Sequence, residues 1–169
     1  EVARGAAMER EKKLRGLILL GGRSDYTAED LGTITVPFVC CSFTNSFGTL
    51  SRGEYSSVSI EDVGAASRAV RELHRLGHRR IAALISETGD RSISELRYHG
   101  YARALREFGL EPDEALVACA GSFGMRDAYE ATLRLVDSGA EFTALFAISD
   151  MMAIAAIKAL EDRGRRVPE

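Results

Sequence analysis

The chain has 169 residues and carries few of the features that usually announce chemistry. It has only three cysteines, Cys40, Cys41 and Cys119, too few for a disulfide framework and without Cys or His partners at metal-ligand spacing. Cys40 and Cys41 adjoin in the apolar run VPFVCC, so buried thiols in a reducing cytoplasm are expected there. There is no basic excess. Twenty-two Lys and Arg face 25 Asp and Glu, for a net charge of -3 and a pI near 5.7. A domain that held DNA mainly through its phosphates would be basic, so this stretch by itself is not expected to bind DNA. No apolar run approaches the length that spans a bilayer, and no signal-peptide pattern opens the chain, so no membrane partner is expected.

Enzyme signatures are missing as well. Gly21-Gly22 is not GxGxxG, and there is no Walker loop and no GxSxG elbow. His74 and His78 are four residues apart, but Gly77 breaks the helix that would align them as metal ligands. No catalytic residue, metal or cofactor is expected.

What is present is a regular alternation. Ala3 to Lys13 is helix-like, Gly16 to Leu20 reads as a buried strand ending at Gly21-Gly22, and a polar loop with Ser24 and Asp25 follows. Val36 to Cys41 is expected as a second buried strand and Val58 to Ile60 as a short third. Val63, Ala66, Val70, Leu73 and Leu76 then recur at helical spacing, with Asp62 placed to cap that helix. Next come a continuous apolar strand, Ile81 to Ile85, and a long helix from Ile93 to Phe108, stopped by Gly109 and Pro112. Leu116 to Cys119 is a strand, Arg126 to Asp137 a helix, Thr143 to Ile148 a strand and Asp150 to Arg163 a helix. Strands apolar on both faces between amphipathic helices imply parallel sheets in a doubly wound α/β protein.

The most basic stretch, RELHRLGHRRIAALIS from Arg71 to Ser86, fits this frame. Gly77 supplies the positive φ that ends the helix, and the basic side chains gather at its negative end. Leu73 and Leu76 are expected to face inward, and no aromatic residues stand ready to stack on bases. A helix-to-strand joint explains the stretch better than a nucleic-acid patch.

In open α/β sheets ligands bind beyond the carboxyl ends of the strands. Those positions hold Ser24 and Asp25, then Ser42, Thr44 and Asn45, then Glu61 and Asp62. Later they hold Arg91 and Arg97, Phe123, and Ser149 with Asp150. Hydroxyls, carboxylates and arginines with one aromatic ring suit a neutral, hydroxyl-bearing ligand. Each residue also has a plainer explanation. Asp150 caps a helix, Arg91 and Arg97 are solvated arms, or Phe123 is a core ring.

Four stretches carry a resemblance. They are VSIEDVGAASRAVRELHRLGHRRIAALIS, Arg97-x-x-Gly100-Tyr101 with ALREFGLEPDEALV, GSFGMRDAYEATLRLVDSG, and FTALFAISDMMAIAAIKALEDRGRRVPE. Together they resemble the effector domain of the LacI/GalR family of bacterial transcriptional repressors, from about Leu14 onward. The resemblance implies a periplasmic-binding-protein-like fold of two α/β lobes with a small polar effector, sugar-like or nucleobase-like, between them. Residues 1–59 would belong to the amino-terminal lobe and 60–169 to most of the carboxyl-terminal lobe. Operator DNA would be read only by a helix-turn-helix domain preceding Glu1. The chain, opening without Met and stopping at Arg-Val-Pro-Glu, is expected to be a piece of a longer protein.

Carried over position by position, Arg97 matches the family's effector-binding arginine, Arg91 a second one, Phe123 the aromatic lining the ligand and Glu61 an acidic position at the crossover. Ser149 replaces the Asn of the family's A-N-D motif, and Ser42 stands where many members carry Asp. Both departures leave the identity of the ligand open. Helix residues Met151, Ile154 and Ile157 lie beyond what one core face needs, as in a homodimer contact or a helix buried on several sides. A cytoplasmic regulator is therefore expected. A transporter-associated sugar-binding protein and an enzyme on the same scaffold are the rival readings.

Overall fold

A computed structural model describes residues 2–42, 44–51, 53–89 and 91–168. The chain divides after Ile60 into two compact units.

In the first unit, α1 (Val2–Lys12) precedes β1 (Leu17–Leu20), the one-turn helix α2 (Ala28–Leu31), β2 (Phe38–Cys41) and β3 (Ser56–Val58). The strands are parallel in the order β1-β2-β3, with Leu20 beside Cys41 and Cys41 beside Val58. Val2, Ala6, Leu31 and Cys40 form the core, and Leu17 and Leu19 pack against it.

Several sequence expectations change in this unit. β1 is covered on one face only, since the helices lie on the Leu17 and Leu19 side and leave Ile18 and Leu20 69% and 76% exposed. The third strand lies two residues earlier than expected, at Ser56–Val58, because Ser57 pairs with Cys40 while Ile60 is already past the sheet. The polar loop after β1 contains α2, whose N-cap Thr27 and Asp30 exchange capping bonds. The adjacent cysteines diverge: strand alternation buries Cys40 in the core and leaves Cys41 half-buried on the opposite face.

The second unit begins with α3 (Asp62–Arg75), followed by β4 (Ile81–Ile85) and α4 (Ile93–Glu107). A 3-10 turn (Glu114–Leu116), β5 (Val117–Cys119), α5 (Met125–Asp137), β6 (Ala144–Ala147) and α6 (Asp150–Asp162) follow. The parallel sheet has the order β5-β4-β6, and every residue of the central strand β4 is buried. Tyr101 of α4 is wholly buried and donates its hydroxyl to Ile81 O at 2.7 Å, and burial pushes that phenol well above its usual pKa. The chain runs from β4 to β5 on one side and then back across β4 to β6 on the other, so the strand order reverses at β4, and its carboxyl end is the switch point at which such sheets open a crevice.

The joint at Gly77 closes α3 as expected. Gly77 has φ +98, its amide bonds His74 O at 3.0 Å, and the His78 amide reaches back to Leu73 O at 3.2 Å. Arg79 donates to the carbonyls of His74 and His78, so one of the basic side chains caps the helix end. The ring of His74 stacks on Phe108 at 3.6 Å. Leu73 packs on the core, but Leu76 is exposed, since the helix has reached its C-cap there.

Candidate functional site

The side chain that organises the strand ends of the second unit is Arg97, on the second turn of α4. Its Nε donates to Asp62 Oδ1 at 2.8 Å and its Nη1 to the carbonyl of Ile148 at 2.6 Å. The guanidinium thereby joins α3, α4 and the end of β6. Asp62 is buried, whereas Arg97 keeps about a quarter of its side chain in solvent. The solvated-arm explanation therefore fails for Arg97. Asp62 is not the cap expected of it either. Glu61 occupies the N-cap without a side-chain bond, and Asp62 lies within the first turn with its carboxylate committed to Arg97.

Ser149, next to the carbonyl that Arg97 binds, is the N-cap of α6 and accepts the Met152 amide at 3.4 Å. Capping therefore does not explain Asp150, which is exposed as the first residue of that helix. Arg97, Asp62 and Ser149 are thus brought together. Glu61 is exposed, and its carboxylate folds over the first turn of α3, where Gly64 has no side chain: a Cβ there would lie 1.9 Å from Glu61 Oε2.

Two loops complete this rim. In the loop after β4, Arg91 is exposed, has φ +52, and donates its amide to Glu95 Oε2 at 2.8 Å. The loop is fixed from below by buried Ser94, whose Oγ accepts the amides of Ser86 and Glu87 and donates to Glu87 O. In the loop after β5, Ser122 Oγ donates to Asp127 and accepts the Gly124 amide at 2.9 Å. Between them Phe123 is 43% exposed, so it is not a core ring.

The other sequence candidates lie in the first unit. Ser24 is buried and its carbonyl accepts the Phe47 amide at 2.8 Å, while Asp25 pairs with Arg23 at 2.7 Å. Ser42, at the end of β2, has φ +55 and donates its amide to Val58 O. Asn45 donates to Tyr26 O at 3.0 Å and its amide reaches the Tyr55 hydroxyl, leaving Oδ1 buried with no bonded neighbour. Among the described residues no group of three His, Cys, Asp or Glu could hold a metal ion, and no helix is long and apolar enough to cross a membrane.

Sequence reasoning placed Asp62 at a strand end but read it as a helix cap, and it missed Ser94 as a determinant of the rim. A polar residue at a helix start reads as a cap, and the 35-residue separation of Asp62 from Arg97 gives no local signal.

The family described as periplasmic binding protein-like domain matches residues 70–169. HTH-type transcriptional regulator MalR of Clostridium butyricum is 37% identical over 160 residues, which cover 94% of this chain and 47% of MalR. HTH-type transcriptional regulator CelR of Thermobifida fusca is 39% identical over 116 residues, 69% of this chain and 34% of CelR. Among solved structures, the transcriptional regulator CelR–cellobiose complex has a TM-score of 0.82 at 32% identity, covering 99% of this chain and 50% of that one. A sugar-binding LacI-family regulator from Escherichia coli complexed with phosphate has a TM-score of 0.80 at 27% identity, covering 99% and 58%. The chain spans about half the length of the curated relatives it matches. It belongs to the periplasmic binding protein-like domain family, in the form carried by LacI-family transcriptional regulators.

Proposed function

We propose that this chain is the ligand-sensing part of a LacI-type transcriptional regulator. A small polar effector is held by Arg97, Arg91, Phe123, Ser149, Asp150 and Glu61. Binding alters operator recognition by a helix-turn-helix domain outside these residues. The observation that carries the reading is Arg97, held by Asp62 and the Ile148 carbonyl at the strand ends of the second sheet. Such an arginine is rigid before any ligand arrives, so little ordering is left to oppose binding. Phe123, in the loop after β5, offers an exposed apolar face, as ligand sites with a few fixed polar groups require.

The protein senses and does not turn its ligand over, and it works in the cytoplasm. Its likeness to regulators of transcription supports both readings and also favours a regulator over a transporter-associated binding protein. A homodimer formed through Met151, Ile154 and Ile157 couples two such sensors. The effector acts only through its unequal affinity for the DNA-competent and DNA-incompetent states.

The test is a thermal-shift screen of sugars, polyols, purines and sugar phosphates on the full-length protein, repeated with Arg97→Lys. Lysine keeps a cation beside buried Asp62, so the fold survives while the forked donors are lost. One ligand class should raise the melting temperature by roughly 5 to 10 °C at about a hundredfold excess over Kd, and the rise should vanish in the variant. A screen in which no compound stabilises the wild-type protein sinks the sensor reading.

A further inference from the structure

We infer that Asp62 determines specificity at this rim: it sets Arg97 against anions and leaves it open to neutral hydroxyl groups. The inference rests on the effector reading above and narrows the class of ligand. The carboxylate lies 2.8 Å from Arg97 Nε, is almost wholly buried, and occupies the first turn of α3, where the helix macrodipole favours negative charge.

A guanidinium carries five N–H donors. One is spent on Asp62 and one on the Ile148 carbonyl. The remaining N–H groups still donate to lone pairs, but the unit charge behind them is already matched. An incoming anion would meet attraction from Arg97 and repulsion from Asp62 at only a slightly longer distance, so the two largely cancel. A sugar hydroxyl loses nothing by that cancellation, because its bond to the N–H is short-ranged and needs no net charge.

The surrounding charge points the same way. Glu61, Glu87, Glu95, Asp127 and Asp150 all stand on the strand-end loops and first helical turns of this unit. Among the described residues the other cations there are Arg91, Arg126, which is turned to Glu130 at 3.0 Å, and Arg68, whose guanidinium reaches the first turn of α3 near Glu61, so the acidic groups still outnumber them. A rim with this balance repels phosphorylated sugars and nucleotides before they reach Arg97.

Inorganic phosphate is the fitting probe, since a relative of this chain is complexed with it. The 169-residue protein is titrated with phosphate against ionic-strength-matched chloride, following the Arg97 Nε–H resonance in 1H–15N spectra. The wild-type resonance should not move saturably, whereas Asp62→Asn should bind phosphate at least about tenfold more tightly. Asparagine retains the shape of the side chain and can still accept from Nε. Asp62→Ser provides a second neutral variant if the first does not fold. Saturable phosphate binding by the wild-type protein overturns the inference. So does a folded neutral variant that ignores phosphate. Because no sugar enters this titration, its failure is separate from a failed effector screen.

Discussion

Arg97 and Glu9 are each fixed by partners far away in sequence, and each turns a surface-type side chain into a structural link. Glu9 of α1 is buried and receives the amide of Thr35 at 3.0 Å and the Thr35 hydroxyl. Those bonds, the hydroxyl's first, hold its carboxyl below the ordinary value of 4.5. A carboxylate depressed in the folded state adds stability above its unfolded pKa and loses it as pH falls through the folded value. The first unit should therefore loosen on acidification below about pH 4.5, with the Thr35 amide losing hydrogen-exchange protection. In Glu9→Gln that amide should exchange alike at pH 6 and pH 4, once corrected for intrinsic rates. An acid response in the variant equal to that of the wild type would assign the effect to other carboxylates.

Among the elements, the crossing of α3 and α4 depends on one glycine. A Cβ on Gly100 would stand 2.3 Å from Val63 O and 2.7 Å from the Ala66 Cβ, contacts no rotamer can relieve. The Ser67 hydroxyl donates to Gly100 O at 2.8 Å from within the same contact. Helix propensity favours Gly100→Ala by about 1 kcal/mol, while forcing the two helices apart costs about 3 kcal/mol. The clash wins by about 2 kcal/mol, and the melting temperature should fall by roughly 4 to 8 °C. A melting temperature that rises instead would mean that the helices do not meet so closely.

This contact also marks how far the sequence could be read. The alternation from α3 to α6 was legible because apolar spacing records burial directly, and Ile81 to Ile85 coincides with β4. Gly100 was visible as part of a helix face, but not as the point where that face touches Val63. The fate of Leu76 was hidden because periodicity continues past the residue at which Gly77 ends the helix. Helix α2 was overlooked although Thr27 and Asp30 have the spacing of a capping box, because four residues make no hydrophobic period. At the rim, residue types and strand-end positions singled out Arg97, Ser149 and Phe123. The Asp62 partner needed the fold to bring α3 and α4 together.

For the molecule as a whole, α6 leaves the question of assembly. Its inner side, Met152, Ala155, Ala156 and Ala159, is buried, while Met151, Ile154 and Ile157 on its outer side are 52%, 54% and 40% exposed. Core packing within this chain therefore does not account for the outer stripe, and large apolar residues grouped on one helix face mark a surface that another molecule covers. The proposed dimer uses this stripe. An isologous contact repeats each residue across the symmetry axis, so one substitution places two changes in the interface. Ile154→Asp costs the isolated subunit little, since the side chain is more than half in water and lies near the amino end of α6, where acidic residues are tolerated. In the interface it would bury two carboxylates without partners, at several kcal/mol each, enough to lower the dimer population at micromolar concentration by orders of magnitude. Sedimentation velocity of the full-length protein should give twice the subunit mass for the wild type and the subunit mass for the variant, with unchanged helical content. A variant that sediments as the wild type does would remove α6 from the interface and leave its outer stripe to a different partner.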